Sequence, residues 1–331
     1  MSKDDVILDI ILGAIRRETE AFRYYSDASK QSPYPETSAL LRQLAEEERK
    51  HRRILVQEFA NVKKLLSPDS QEQDDSLLEA NRIRYHLPAE LPFQRVRTVP
   101  GIDLAAVSLP THFISGDYVE SYPVHLPEGA DGQLGLLLSD VMGHGMEAVS
   151  LKAGVRQVLG EIADDDWERL SQADRLVESL NRNLHPLCQK AAGFVTLCYV
   201  LLDLQRGEMS YVSAGHELPV LIDSAQGQER PLEGNQLLIG LDRDQKYSLE
   251  RASLRAGDMI VLFSDGIMEA FNPREEEFGR QRLVESLIES RSQDARGIVK
   301  SVFGALDDFL KNEALTDEAT LAVAKLKEVG R

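Results

Sequence analysis

Cysteine is scarce in this chain. The 331 residues hold two, Cys188 and Cys198, too few for a disulfide framework, and both read as buried apolar residues instead of nucleophiles. Long apolar runs are missing as well: near the start, residues 6–15 are broken by Asp9 and fall far short of the roughly 20 residues a membrane span needs. Positive charge is in deficit, with 38 Lys and Arg against 55 Asp and Glu, and the formal charge of −17 opposes nonspecific binding to nucleic acid or anionic lipid. The first residues, Met-Ser-Lys-Asp-Asp, carry charge where a secretory signal would carry apolar side chains. What remains is ordinary globular composition, 42% hydrophobic and 28% charged, which excludes a wholly disordered or collagenous chain. The expectation is a cytoplasmic protein with two cores and with neither nucleic acid nor membrane as a partner.

Periodicity divides the chain into three parts. Residues 1–66 read as a helical hairpin: Ile7, Ile11, Ala14, Ala21 and Tyr25 form one stripe, Pro33 and Pro35 end it, and Leu41, Leu44, Leu55 and Val62 form a second. Two helices bury little surface, so the hairpin calls for a partner, most simply a second copy of itself. Residues 67–90 turn polar and then proline-rich and read as a linker with a short connecting helix. Residues 91–331 mix strands (134–141, 194–204, 209–213, 259–263 and 320–324) with helices (146–162, 169–187, 280–290 and 295–311). A tight turn at Gly207 joins consecutive strands, which favours antiparallel pairing and an α+β sandwich over a doubly wound parallel sheet.

Acids stand where apolar strands stop. Asp140 follows Leu136-Leu137-Leu138-Ser139 and opens Asp-Val-Met-Gly-His-Gly; Asp265 follows Ile260-Val261-Leu262-Phe263-Ser264 and opens Asp-Gly. Asp117 lies in Ser115-Gly116-Asp117-Tyr118, and Asp317 in Asp317-Glu318-Ala319-Thr320 beside the last apolar run. Any one of these is a turn residue when taken alone. Four convergent carboxylates repel one another or protonate unless cations neutralise them, and an all-oxygen set suits two hard ions such as Mg²⁺ or Mn²⁺. Such a pair clamps a phosphoryl group and makes hydroxide from bound water, which is phosphoester hydrolysis.

Together with Ser213-Ala214-Gly215-His216 and the lead-in at residues 83–88, these motifs resemble the metal-dependent protein phosphatases of the SpoIIE and RsbU type, over about residues 80–327. The resemblance implies an αββα sandwich, hydrolysis of phosphoserine or phosphothreonine on a protein, and a phosphorylated anti-sigma-factor antagonist as substrate. It makes Asp117, Asp140, Asp265 and Asp317 the metal ligands, with the carbonyl of Val141 completing a shell. His144 is a candidate proton donor to the leaving alkoxide, and His216 reads as a structural histidine. The first motif departs from the family pattern: Ser115 replaces a glycine and Glu120 an aspartate.

The N-terminal stripes carry ionisable groups. Glu18 falls on the first seam, and Glu48 and His51 on the second. Glu48-x-x-His51 has the i, i+3 spacing of di-iron four-helix bundles, in which the remaining helices each give a glutamate, a role that Glu18 fits. The segment resembles half of a rubrerythrin or ferritin-like bundle, so a full iron site requires a homodimer. The other reading is a charged dimerisation seam in which these groups pair with Arg17, Arg42 or Arg52. For the whole chain the expectation is a phosphatase regulated by its helical module; the alternatives are a two-metal phosphoesterase with another substrate and a catalytically silent regulatory module.

Overall fold

The computed structural model describes residues 22, 25, 28–30, 37–38, 41–42, 45, 87–88, 90–110, 116–124, 132–141, 146–165, 170–191, 193–311, 313–315 and 317–327. The chain forms two compact units, Met1–Glu79 and Ala80–Arg331. In the first, the described residues on both sides of Pro33 and Pro35 are helical, and the Ser38 hydroxyl donates to the Ser29 carbonyl at 2.7 Å. Glu18, Glu48 and His51 lie outside the described residues.

The second unit holds two sheets. The first runs β1 (Ile102–Leu109), β11 (Ala319–Leu326), β10 (Met259–Phe263), β6 (Val220–Asp223) and β7 (Gln228–Arg230). The other runs β2 (Tyr118–Val124), β3 (Gln133–Val141), β4 (Val195–Asp203), β5 (Glu208–Ala214) and β8 (Asn235–Gln236), with β9 (Glu250–Ser253) also on β5. Pairing is antiparallel except for β5 with β8. Helices α1 (Met146–Asp165) and α2 (Ala173–Ala191) cover the second sheet; α4 (Gly279–Ser290) and α5 (Ala295–Leu310) cover the first, with the single turn α3 (Asp265–Met268) after β10. This is the mixed sandwich expected from the strand and helix pattern. Pro186 lies inside α2 without ending it, so that helix continues beyond residue 187, where the sequence pattern places its end.

Three apolar clusters define the layers, and side-chain parity assigns each strand residue to one of them. In β3, Leu137 and Val141 pack under α1 and α2, whereas Leu134, Leu136 and Leu138 face the opposite sheet. β4 divides in the same way, Val195, Leu197, Tyr199 and Leu201 against Cys198, Val200 and Leu202. On the other sheet, Met259, Val261 and Phe263 of β10 and Leu321 and Val323 of β11 lie under α4 and α5; Ile260, Leu262, Ala322 and Ala324 face inward. Strands buried on both faces explain the unbroken apolar runs seen in the sequence. Gly135 serves this packing, because a Cβ there would sit 2.1 Å from the Tyr199 hydroxyl, which donates to the Leu170 carbonyl at 2.7 Å. Among the described residues, no helix is long and apolar enough to cross a membrane.

Candidate metal centre

The same parity that builds the core assembles the polar end of the inter-sheet layer. Continuing each inward-facing series by two residues gives Asp140 on β3, Thr196 on β4, Ser264 after β10 and Thr320 on β11, and two more reach Glu318, just before β11. In β2, inward Val119 puts Asp117 on that face as well. Tyr118 and Tyr122 face the helices, and Glu120 shares their parity; it accepts a hydrogen bond from the Tyr118 hydroxyl at 2.9 Å, and Arg156 of α1 stacks on the Tyr118 ring at 5.3 Å. The glutamate that departs from the family pattern therefore belongs to the helix side of the sheet.

Asp117 is 4% exposed. Burial holds its carboxyl well above the usual carboxylate range, and the negative charges of Asp140 and Glu318 push the same way, against hydrogen bonds from Thr320 and Ser264. Gly116 makes the close approach possible: a Cβ at 116 would stand 3.0 Å from both the Asp140 Oδ1 and the Val141 carbonyl oxygen. The Val141 N–H donates to the Gly116 carbonyl at 3.3 Å, tying the two motifs together.

Asp265 and Asp317 are joined through the backbone of the other sheet. Ser264 Oγ donates to the Glu318 carbonyl and accepts from the Thr320 N–H, both at 2.9 Å. Gly266 lies so close that a Cβ there would be 2.1 Å from the Glu318 carbonyl oxygen. The Asp317 carboxylate accepts from the Glu318 N–H at 2.9 Å. Glu318, a residue the sequence reading passed over, is 7% exposed and accepts from the Gly116 N–H at 2.9 Å and the Asp117 N–H at 2.8 Å. An inward parity shared with Thr320, Ala322 and Ala324 was the available signal.

His216 lies between the sheets. Its Nδ1 meets the Thr196 hydroxyl at 2.9 Å, and its carbonyl accepts from Ser213 Oγ and Asn235 Nδ2. Among the described residues, Nε2 meets no hydrogen bond of normal geometry. Burial pulls the ring down to about 4, against the opposing pull of the Asp265 carboxylate and the Phe263 backbone, so the imidazole is neutral at pH 7. His144 lies outside the described residues, as does the whole segment 142–145. The two cysteines are buried; burial pushes the Cys188 thiol up to about 11 and the Cys198 thiol higher still, which disqualifies both as nucleophiles at neutral pH.

Asp117 lies within electrostatic reach of both Asp140 and Glu318; no three His, Cys, Asp or Glu side chains among the described residues form a ready ligand cage. The donor chemistry nonetheless fits a hard cation. Asp140 Oδ1 and the Val141 carbonyl oxygen both approach Gly116 closely, and the buried Asp117 carboxyl beside them is pushed up by burial and by neighbouring negative charge that a cation would neutralise.

Residues 130–327 match the family model described as stage II sporulation protein E (SpoIIE), a span that contains Asp140, Asp265 and Asp317 and begins after Asp117. Residues 9–85 match the rubrerythrin model. A curated relative, phosphoserine phosphatase RsbU of Bacillus subtilis, is 27% identical over 228 residues, covering 68% of this chain and 64% of the relative. The chain thus spans less than two thirds of that relative's length. Among solved structures, the SiaA-PP2C domain of Pseudomonas aeruginosa superposes with a TM-score of 0.58 at 17% identity, over 68% of this chain and 86% of that one. The catalytic domain of the serine/threonine protein phosphatase PstP, solved in complex with two manganese ions, superposes with a TM-score of 0.50 at 17% identity, over 69% and 99%. These likenesses identify the fold as that of the PP2C phosphatases.

Proposed function

The chain belongs to the SpoIIE family, and from that membership we propose that it is a metal-dependent protein serine/threonine phosphatase. The observation that carries the reading is the inter-sheet cluster in which Asp117, Asp140 and the Val141 carbonyl meet around Gly116, inside a fold shared with PP2C domains. Asp265 and Asp317 complete the ligand set from the opposite sheet. Mn²⁺ or Mg²⁺ ions held there supply Lewis acidity to the phosphoryl oxygens and a water acidic enough to ionise near neutral pH. The protein supplies the rest: one buried carboxylate, Asp117, and three half-buried ones, Asp140, Asp265 and Asp317, that concentrate negative charge, glycines that let backbone and carboxylate crowd together, and His144 to return a proton to the leaving serine oxygen.

The substrate in this reading is a phosphorylated protein, specifically an anti-sigma-factor antagonist. What supports it is the family and the likeness to the phosphoserine phosphatase RsbU. A globular substrate docks through more than its phosphorylated residue. The intact phosphoprotein is therefore expected to show a kcat/KM at least tenfold above that of a short peptide carrying the same phosphoserine. Equal values would remove the docking component.

For the N-terminal unit we propose a homodimeric four-helix bundle that regulates the phosphatase and holds iron between Glu18, Glu48 and His51 of two chains. The rubrerythrin match, which spans all three residues, supports this reading. In solution the full chain is expected at twice its 37.0 kDa, with iron that Glu48→Ala with His51→Ala removes. A monomer would overturn the bundle; an iron-free dimer unaffected by the double substitution would leave a purely structural seam.

A further inference from the structure

Glu318 is a buried acid that the activity proposed above does not itself assign. Its two oxygens reach across from the entry to β11 of one sheet to consecutive backbone N–H groups, Gly116 and Asp117, at the entry to β2 of the other. Its carbonyl accepts from Ser264 Oγ, and the Gly266 backbone packs against that same carbonyl. One residue therefore touches the three segments that carry Asp117, Asp265 and Asp317. We propose that Glu318 is a positioning residue: a clamp between the sheets that sets the backbone of Asp117, and so the geometry of the ion site, without itself being a ligand.

The chemistry demands an acid at this position. Two adjacent N–H donors need an acceptor-only group with two oxygens, which a carboxylate offers and an amide does not. Each oxygen accepts one of those N–H groups, which aims the carboxylate at the backbone of residues 116 and 117. Clamp and ion are linked through position: the backbone that Glu318 holds is the one that presents Asp117, so fixing it favours loading.

The inference rests on the phosphatase reading, and its test separates the two. In the metal-free full chain, hydrogen exchange at the Gly116 and Asp117 amides should be slow. In Glu318→Gln it should be at least tenfold faster, because the amide nitrogen turns a donor toward a donor. By calorimetry, Glu318→Gln should bind Mn²⁺ at least tenfold more weakly. Asn181→Ala is the control for simple destabilisation: it removes hydrogen bonds to Gly240, Asp242 and Arg243, none of them a residue of the ion site, and should lower the melting temperature with Mn²⁺ affinity unchanged. If Glu318→Gln does not fold, the wild-type amides decide alone: fast exchange at Gly116 and Asp117 would overturn the clamp. Unchanged exchange and unchanged Mn²⁺ affinity in Glu318→Gln, with an active wild type, would overturn it as well. A wild type that binds no Mn²⁺ would overturn the phosphatase reading, and with it any role of Glu318 toward an ion.

Discussion

Asp265→Asn is expected to lower the rate of phosphate release by about 10²- to 10³-fold while leaving the fold intact. The side chain keeps its size. Asp265 opens α3, is half-buried, and follows Ser264, whose hydroxyl is locked to Glu318 and Thr320, so the backbone that presents it does not depend on its charge. What the substitution removes is one unit of negative charge from the set proposed to hold the ions. The rate should be measured at saturating Mn²⁺ alongside the melting temperature. A fall in rate at an unchanged melting temperature is the expected result. Near-normal activity, particularly with a chelator present, would mean that Asp265 is a turn residue after all.

Gly266→Ala is expected to cost more than a methyl group ordinarily does. A Cβ at 266 would lie 2.1 Å from the Glu318 carbonyl oxygen, 2.7 Å from the Glu318 carbonyl carbon and 3.0 Å from that of Asp317. These are backbone atoms, which cannot swing aside as a side chain can. The turn carrying Asp265 and the strand entry carrying Asp317 and Glu318 must separate, at an overpacking cost of about 1–3 kcal/mol. A displacement of about 1 Å at reacting groups is enough for roughly a 10²-fold loss of rate. Gly304 on α5 provides the contrast: nothing lies within 4 Å of a Cβ there, and Gly304→Ala should be neutral or stabilising by about 0.5–1 kcal/mol. Thermal melts and phosphate release on the two variants check the pair. Equal behaviour would mean that the 265–318 contact has no strict geometry.

Some of this was legible in the sequence and some was not, for identifiable reasons. Asp140 and Asp265 stood out because strands buried on both faces run apolar without interruption, so the first acid marks the strand's end. β2 did not stand out: it is an edge strand, with Pro123 within it and a buried Ser121 that accepts from the Arg97 N–H, features that break the apolar pattern. β1 escaped because Asp103 and Ser108 interrupt its run, and β7, β8 and β9 are too short for periodicity to register. Glu318 was hidden by its neighbours. An acid after Asp317, before a strand, looks like a solvated turn, and only the strand's parity shows that its side chain points between the sheets.

The central claim, that the inter-sheet acids serve metal-dependent hydrolysis of a phosphorylated protein, is tested most directly by titrating Mn²⁺ or Mg²⁺ into chelator-treated protein while following phosphate release from a phosphoserine protein. The expected result is no release without metal, saturable recovery as metal is added, and no recovery in Asp140→Asn at the concentration that saturates the wild type. Release that persists in excess chelator, or its absence at saturating Mn²⁺ and Mg²⁺, would contradict the account.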